Sequence, residues 1–116
     1  MGLPLKKDHW VLIDFWCDYL EGQANQGETS KHTYFWFKVN KKYTKIIMLD
    51  HVKVETVHAF VNNKTLDIYK PASWNAPVKE SKYNLEHDYE QLLNDCEWTG
   101  GYLYKSGVKK VKTYGC

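Results

Sequence analysis

The sequence predicts an α+β fold: a four- to five-stranded antiparallel meander with an N-terminal and a C-terminal helix packed on one face. Three observations carry this. Period-two hydrophobic runs follow one another between residues 32 and 69, joined by short polar links. A stripe of apolar residues at helical spacing lies on either side of that block. Consecutive strands with short links pair as antiparallel neighbours, and such a sheet needs helices over one face to bury it.

The first helix is predicted over His9 to Glu21. Trp10, Ile13, Cys17 and Leu20 recur at steps of three and four, flanked by Leu12, Trp16 and Tyr19. Asp14, Asp18 and Glu21 line the opposite, solvated face, with Asp8 as N-cap and Gly22 as stop. His32 to Val39 then alternates: Thr33, Phe35, Phe37 and Val39 on one side, Tyr34, Trp36 and Lys38 on the other. Asn40-Lys41-Lys42 forms a turn. Tyr43 to Leu49 returns, its Ile46-Ile47-Met48-Leu49 run implying burial on both faces. Val54 to Val61 is a third strand, with Val57, Ala59 and Val61 opposite His58 and Phe60. Asn62-Asn63 suits a tight turn, because Asn tolerates positive φ. Leu66 to Tyr69 is a fourth strand. After an irregular loop from Lys70 to Tyr83, Asn84 caps a helix over Leu85 to Glu97, striped by Leu85, Tyr89, Leu92, Leu93 and Cys96. Gly100-Gly101 ends it, and Tyr102-Leu103-Tyr104 is placed as a short edge strand.

The 116 residues make one domain over 1–104, followed by a basic C-terminal tail over 105–116. Hydrophobic residues at 43% and charged residues at 26% fit a folded chain with its own core. The charge is unevenly spread. Residues 1–104 hold twelve lysines against fourteen acids, whereas 105–116 hold four lysines and no acid. All sixteen basic residues are lysine, so no arginine fork is available for bidentate reading of guanine or phosphate. No stretch approaches the ~20 apolar residues of a membrane span. Met1 to Asp8 lacks an apolar signal run, so a cytoplasmic location and no membrane partner are expected. Cys17, Cys96 and Cys116 are odd in number and far apart, which is neither a disulfide framework nor a zinc site.

Few residues suggest catalysis. The five histidines show no metal-binding spacing, and neither a metal nor a cofactor is expected. Asp50, His51 and His58 are the only candidates for acid–base work, and neighbouring strand residues point apart. Cys17 and Cys96 sit on apolar helix faces, where a thiol is inert packing. Asn63-Lys64-Thr65 matches a glycosylation acceptor but reads more simply as turn chemistry.

Lysine interleaved with aromatics is the stronger signal. Tyr34, Trp36 and Lys38 share one strand face, and Lys41, Lys42 and Lys45 cluster about the hairpin tip. With the helices over the Phe35/Phe37 side, those rings stand on the open face of the sheet. Aromatic platforms of this kind bind single-stranded nucleic acid, with lysines following the backbone. A second small core or a subunit interface would use the same rings. The loop Lys70-Pro71-Ala72-Ser73-Trp74-Asn75-Ala76-Pro77 has its backbone freedom limited by two prolines. Trp74 either plugs its own sheet or faces a partner, with Ser73 and Asn75 flanking it.

The block V-H-A-F-V, then D-I-Y-K-P-A-S-W-N-A-P, then G-G-Y-L-Y is similar to a group of small uncharacterised proteins encoded by tailed bacteriophages, including those of marine bacteria. The resemblance covers roughly residues 57–105. It implies a viral gene product in a bacterial cytoplasm and no catalytic residue. The expected function is a non-enzymatic binding module, homo-oligomeric, for protein or single-stranded nucleic acid. Its candidate surface is Tyr34, Trp36, Lys38, Lys41, Lys42, Lys45, Lys70, Ser73, Trp74 and Asn75. The alternatives are a structural or assembly protein of a virus particle, then a small enzyme using Asp50, His51 or His58.

Overall fold

The computed structural model describes residues 7–26 and 32–104; the basic tail and Cys116 lie outside them. Helix α1 (Lys7–Ala24) is followed by strands β1 (Tyr34–Val39), β2 (Tyr43–Leu49), β3 (Glu55–Asn62), β4 (Asp67–Tyr69) and β5 (Tyr83–Asn84), then helix α2 (Tyr89–Asp95) and a 3-10 turn at Gly101–Leu103. The five strands form one antiparallel sheet in the order β1-β2-β3-β4-β5. Both helices lie on one face of it. The core there joins Ile13, Trp16, Cys17 and Leu20 of α1 to Phe35, Ile46, Ala59, Val61 and Ile68 of the sheet, with Leu92 of α2 and Leu103 completing it.

Helix α1 is rotated from its predicted seam. Trp16 is fully enclosed, whereas Trp10 is 40% exposed. At 100° per residue, Ile13, Trp16, Cys17 and Leu20 share one narrow face, and Trp10 falls at its margin. Val11, Phe15 and Tyr19 face outward with 69%, 54% and 40% exposure. The helix also runs past Gly22, which costs a helix interior only ~1 kcal/mol. It ends where Asn25 turns its amide on Glu21 O and Thr33 O (2.8 and 2.7 Å).

Three side chains near that end hold the helix to the rest. Asn25 both donates to Thr33 O and accepts from Thr33 N at 2.7 Å, as a neighbouring strand would. Glu21 Oε1 accepts from Phe35 N at 3.0 Å, and its other oxygen lies 3.1 Å from His32 Nε2. Glu21 is thus a tether rather than part of a solvated stripe. Gln23 donates to Cys96 O and accepts from Trp98 N, both at 3.1 Å, satisfying a carbonyl that the end of α2 leaves orphaned.

Strand β3 departs from simple alternation. Ile46 pairs with Ala59 and Ile47 with Val57, so His58 is the extra residue of a β-bulge. The bulge turns His58 to the helix side with Ala59 and Val61. It leaves Val57 and Phe60 together on the open side, instead of opposite one another. Further corrections follow at the C-terminal end. The fifth strand is Tyr83–Asn84, which lacks any sequence period, and not the segment at Tyr102. Gly100 at φ 84° turns the chain into the 3-10 turn, burying Tyr102 and Leu103. Helix α2 starts at Tyr89 because Asn84 caps an earlier turn, accepting from Glu86 N and His87 N at 3.0 and 2.9 Å. In the β3–β4 link the positive φ falls on Leu66 (68°), whose side chain is buried, and not on Asn62 or Asn63.

Asn63 instead locks two turns together. Its amide donates to Asn40 O at 2.7 Å and accepts from Thr44 Oγ1 at 2.7 Å, and its backbone N–H reaches Lys42 O at 2.9 Å. This holds the β1–β2 turn and its lysines in place and accounts for the Asn63-Lys64-Thr65 string as turn chemistry. Replacing Asn63 by Ala leaves the buried Thr44 hydroxyl and the carbonyls of Asn40 and Lys41, both bonded by the Asn63 side-chain amide, without that partner, while the backbone bond to Lys42 O is kept. The expected loss is about 1–3 kcal/mol in urea-induced unfolding.

Candidate functional site

Because both helices cover the Phe35/Ile46 side, the opposite face of the sheet carries no helix, and its exposed part is along β1, whereas Ile47 and Phe60 deeper in the face are buried. Register and alternation place Tyr34, Trp36 and Lys38 of β1 there. Beside them stand Tyr43, Lys45 and Ile47 of β2, Val57 and Phe60 of β3, and Tyr69 of β4. Tyr34 and Trp36 are 46% and 40% exposed. Lys38 lies directly opposite Lys45 in the β1–β2 pairing.

The 70–78 loop folds back over this face. Its backbone closes on itself through Val78 N to Lys70 O (3.0 Å) and Ala72 N to Ala76 O (2.8 Å), with Pro71 and Pro77 bridged. Trp74 at its tip sets its ring 4.3 Å from Lys45 Nζ, a cation–π contact, and remains 43% exposed. One face of the Trp74 ring thus covers its own sheet, as the first of the two alternatives expects, while the remainder meets solvent. Lys45 is buried beneath it. Burial, aided by the nearby Lys38 charge, holds the Lys45 ammonium below the ordinary lysine range.

The other predicted surface residues divide. Lys41 and Lys42 are exposed in the turn, and Lys42 reaches over the Tyr43 ring at 5.5 Å. Ser73 and Asn75 are exposed beside Trp74, with Ser73 Oγ accepting from Asn75 N at 3.3 Å. Lys70 does not join them: its ammonium sits over Tyr104 at 4.6 Å, beside the 3-10 turn. Sequence reasoning missed Tyr43, Phe60 and Tyr69, whose rings meet edge to face at 5.9 Å. The hairpin register would have added Tyr43, since it shares the face of Lys45.

The acid–base candidates do not form one site. Asp50 Oδ1 accepts from Val52 N and Val54 N, both at 3.0 Å, and so shapes the exposed β2–β3 turn that carries His51. His58 is enclosed behind the sheet. Its ring meets Trp16 and Phe35 edge-on, and Nε2 lies 2.6 Å from the Tyr102 hydroxyl. The shallow cleft at His58, Gly100 and Trp98 has a volume of about 50 Å³. Ligand pockets span roughly 300–1,000 Å³, so this one has room for water rather than a substrate. Burial likewise raises the Cys17 thiol to about 12 and the Cys96 thiol to about 11, which leaves both protonated and inert.

Burial lowers the His58 pKa to about 3, so the folded state keeps the ring neutral while the unfolded chain protonates it near 6.5. Its contribution to stability is complete above pH 6.5 and is lost as the pH falls toward 3. Urea midpoints should therefore decline below pH 6.5, with a His58 share approaching about 1.4 kcal/mol per pH unit. His58→Gln, which keeps a partner for Tyr102, should show a shallower acid limb by that share.

No curated protein and no solved structure matches the chain. One family model does, over residues 6–105, taking in the N-terminal helix and first hairpin as well as the Trp74 loop. The chain therefore belongs to the family of unknown function DUF7717.

Proposed function

We propose that this protein is a non-enzymatic binding module whose open sheet face takes single-stranded nucleic acid. The observation that carries this is the joint exposure of Tyr34, Trp36 and Trp74 around Lys38 and Lys45 on the side without helices. Half-exposed rings offer a π-face to any base, and lysines without arginine track a phosphate chain without reading sequence. The V-H-A-F-V and K-P-A-S-W-N-A-P strings support a tailed-phage gene product at work in a bacterial cytoplasm. Among the described residues no helix is long and apolar enough to cross a membrane.

The unaltered protein should bind single-stranded DNA or RNA oligonucleotides in fluorescence anisotropy, more weakly as salt rises. Trp36→Ala and Trp74→Ala should each cost about 1–3 kcal/mol of binding per stacked base. Trp36→Ala should leave the melting temperature nearly unchanged, because its ring is already half in water. Complete absence of salt-dependent binding by the unaltered protein would remove this function.

A second reading, self-association in a particle or other assembly, is favoured by α1. Val11, Phe15 and Tyr19 make an outward apolar stripe that a lone monomer has no need to display. Light scattering at high concentration should then show an oligomer, and Phe15→Glu should return it to a monomer of unchanged helix content. A monomeric unaltered chain would end this reading.

A further inference from the structure

Lys38 and Lys45 present an electrostatic arrangement that the fold does not resolve by itself. They are direct partners across the β1–β2 pairing and point to the same face. Like charges in that relation repel. Among the described residues neither lysine forms an ion pair, and the charge that bears on Lys45 is that of Lys38. The Lys45 stem is buried and its ammonium is covered on one flank by the Trp74 ring at 4.3 Å. An ammonium on a buried stem, lying against an aromatic ring on one flank and faced by a second cation, leaves its open flank to an anion.

The surroundings specify what kind. Trp36 lies two residues before Lys38 on the same strand face, so its ring stands next to the Lys38 side chain. Trp74 stands on the Lys45 side. From neighbour to neighbour the sequence is ring, ammonium, ammonium, ring: along β1 from Trp36 to Lys38, across to Lys45, and up to Trp74. A lone inorganic anion would use the two centre groups and ignore the rings. A fragment of a polynucleotide uses all four, because each phosphate has a base to either side.

Building on the open-face platform above, we infer that Lys38 and Lys45 together seat one internucleotide phosphate, with the two adjoining bases stacked on Trp36 and Trp74. The phosphate enters from the exposed Lys38 side, since Trp74 covers the other. Binding supplies the missing negative charge, so the seat is more stable filled than empty. The contact is to the backbone and is indifferent to base identity.

Lys38→Glu tests this, because the new carboxylate lies opposite Lys45 and fills the seat permanently. Lys38 is exposed, so the variant should fold. Two measurements are made on the full chain. The first compares melting temperatures in sodium phosphate and in sodium chloride of equal ionic strength. Phosphate should raise the melting temperature of the unaltered protein by several degrees more than that of Lys38→Glu, and the variant should already melt higher in chloride. The second follows binding of an oligothymidylate with rising salt. The slope of log affinity against log salt should be shallower by about 0.7 in Lys38→Glu, the loss of one phosphate contact on a single strand. Lys53→Gln, at an exposed lysine in the β2–β3 turn, serves as the control for charge alone and should keep the phosphate response.

Absence of oligonucleotide binding by the unaltered protein would overturn the platform and this inference with it. Oligonucleotide binding that persists with unchanged slope and unchanged phosphate response in Lys38→Glu would overturn the seat alone.

Discussion

The enclosure of Trp16 is the contact on which the rest depends. Its ring lies where α1 crosses the sheet, against His58 at 6.0 Å, with Phe35 and Tyr102 around the same histidine. Losing a buried Trp costs roughly 3–5 kcal/mol, a large share of a small domain's stability. The bulge at His58 exists to make that packing. An unbulged β3 would send the imidazole to the open side and leave a hole beside Trp16. The same bulge re-phases the strand, bringing Val57 and Phe60 onto the open face. One core contact thus decides both what is buried and what is displayed. The buried Trp16 indole N–H lies toward the Cys96 sulfur and the Tyr102 hydroxyl, where it offsets part of the rise that burial imposes on both.

What the sequence disclosed follows from the range of the forces involved. Strand β2 is found over Tyr43–Leu49 as its apolar run implies, and the meander order follows from short links, because both are local properties. The His58 bulge was hidden because a bulge is defined by a partner's register, which a single strand does not carry. Strand β5 was hidden because two residues have no period. It pairs with β4 through Asp67–Asn84 and Ile68–Tyr83, a long-range condition. The second helix was overextended because Leu85 is buried at the right spacing, though it sits in a capped turn before the helix begins.

The candidate surface divides along the same line. Tyr34, Trp36 and Lys38 were legible, since period two on an edge strand with one covered face leaves them nowhere else to go. The cation–π contact of Trp74 with Lys45 was not, because nothing in an aperiodic loop says where its tip lands. Lys70 shows the opposite error. It adjoins Pro71 and stands four residues before Trp74, yet its ammonium goes to Tyr104. Adjacency along the chain is a poor guide where a strand ends and the backbone turns.

The last turn of α1 has a consequence for how this chain goes wrong. Asn25 and Glu21 occupy main-chain groups of Thr33 and Phe35 that point away from β2. They impersonate a sixth ribbon along half of the outer rim of the sheet. Helix ends fray at little cost, well below that of global melting. When this one does, a run rich in Phe, Trp and Tyr is left with bare amides and carbonyls, the template on which edge-to-edge stacking grows. The cover on this rim is therefore made of helix side chains and not of another strand.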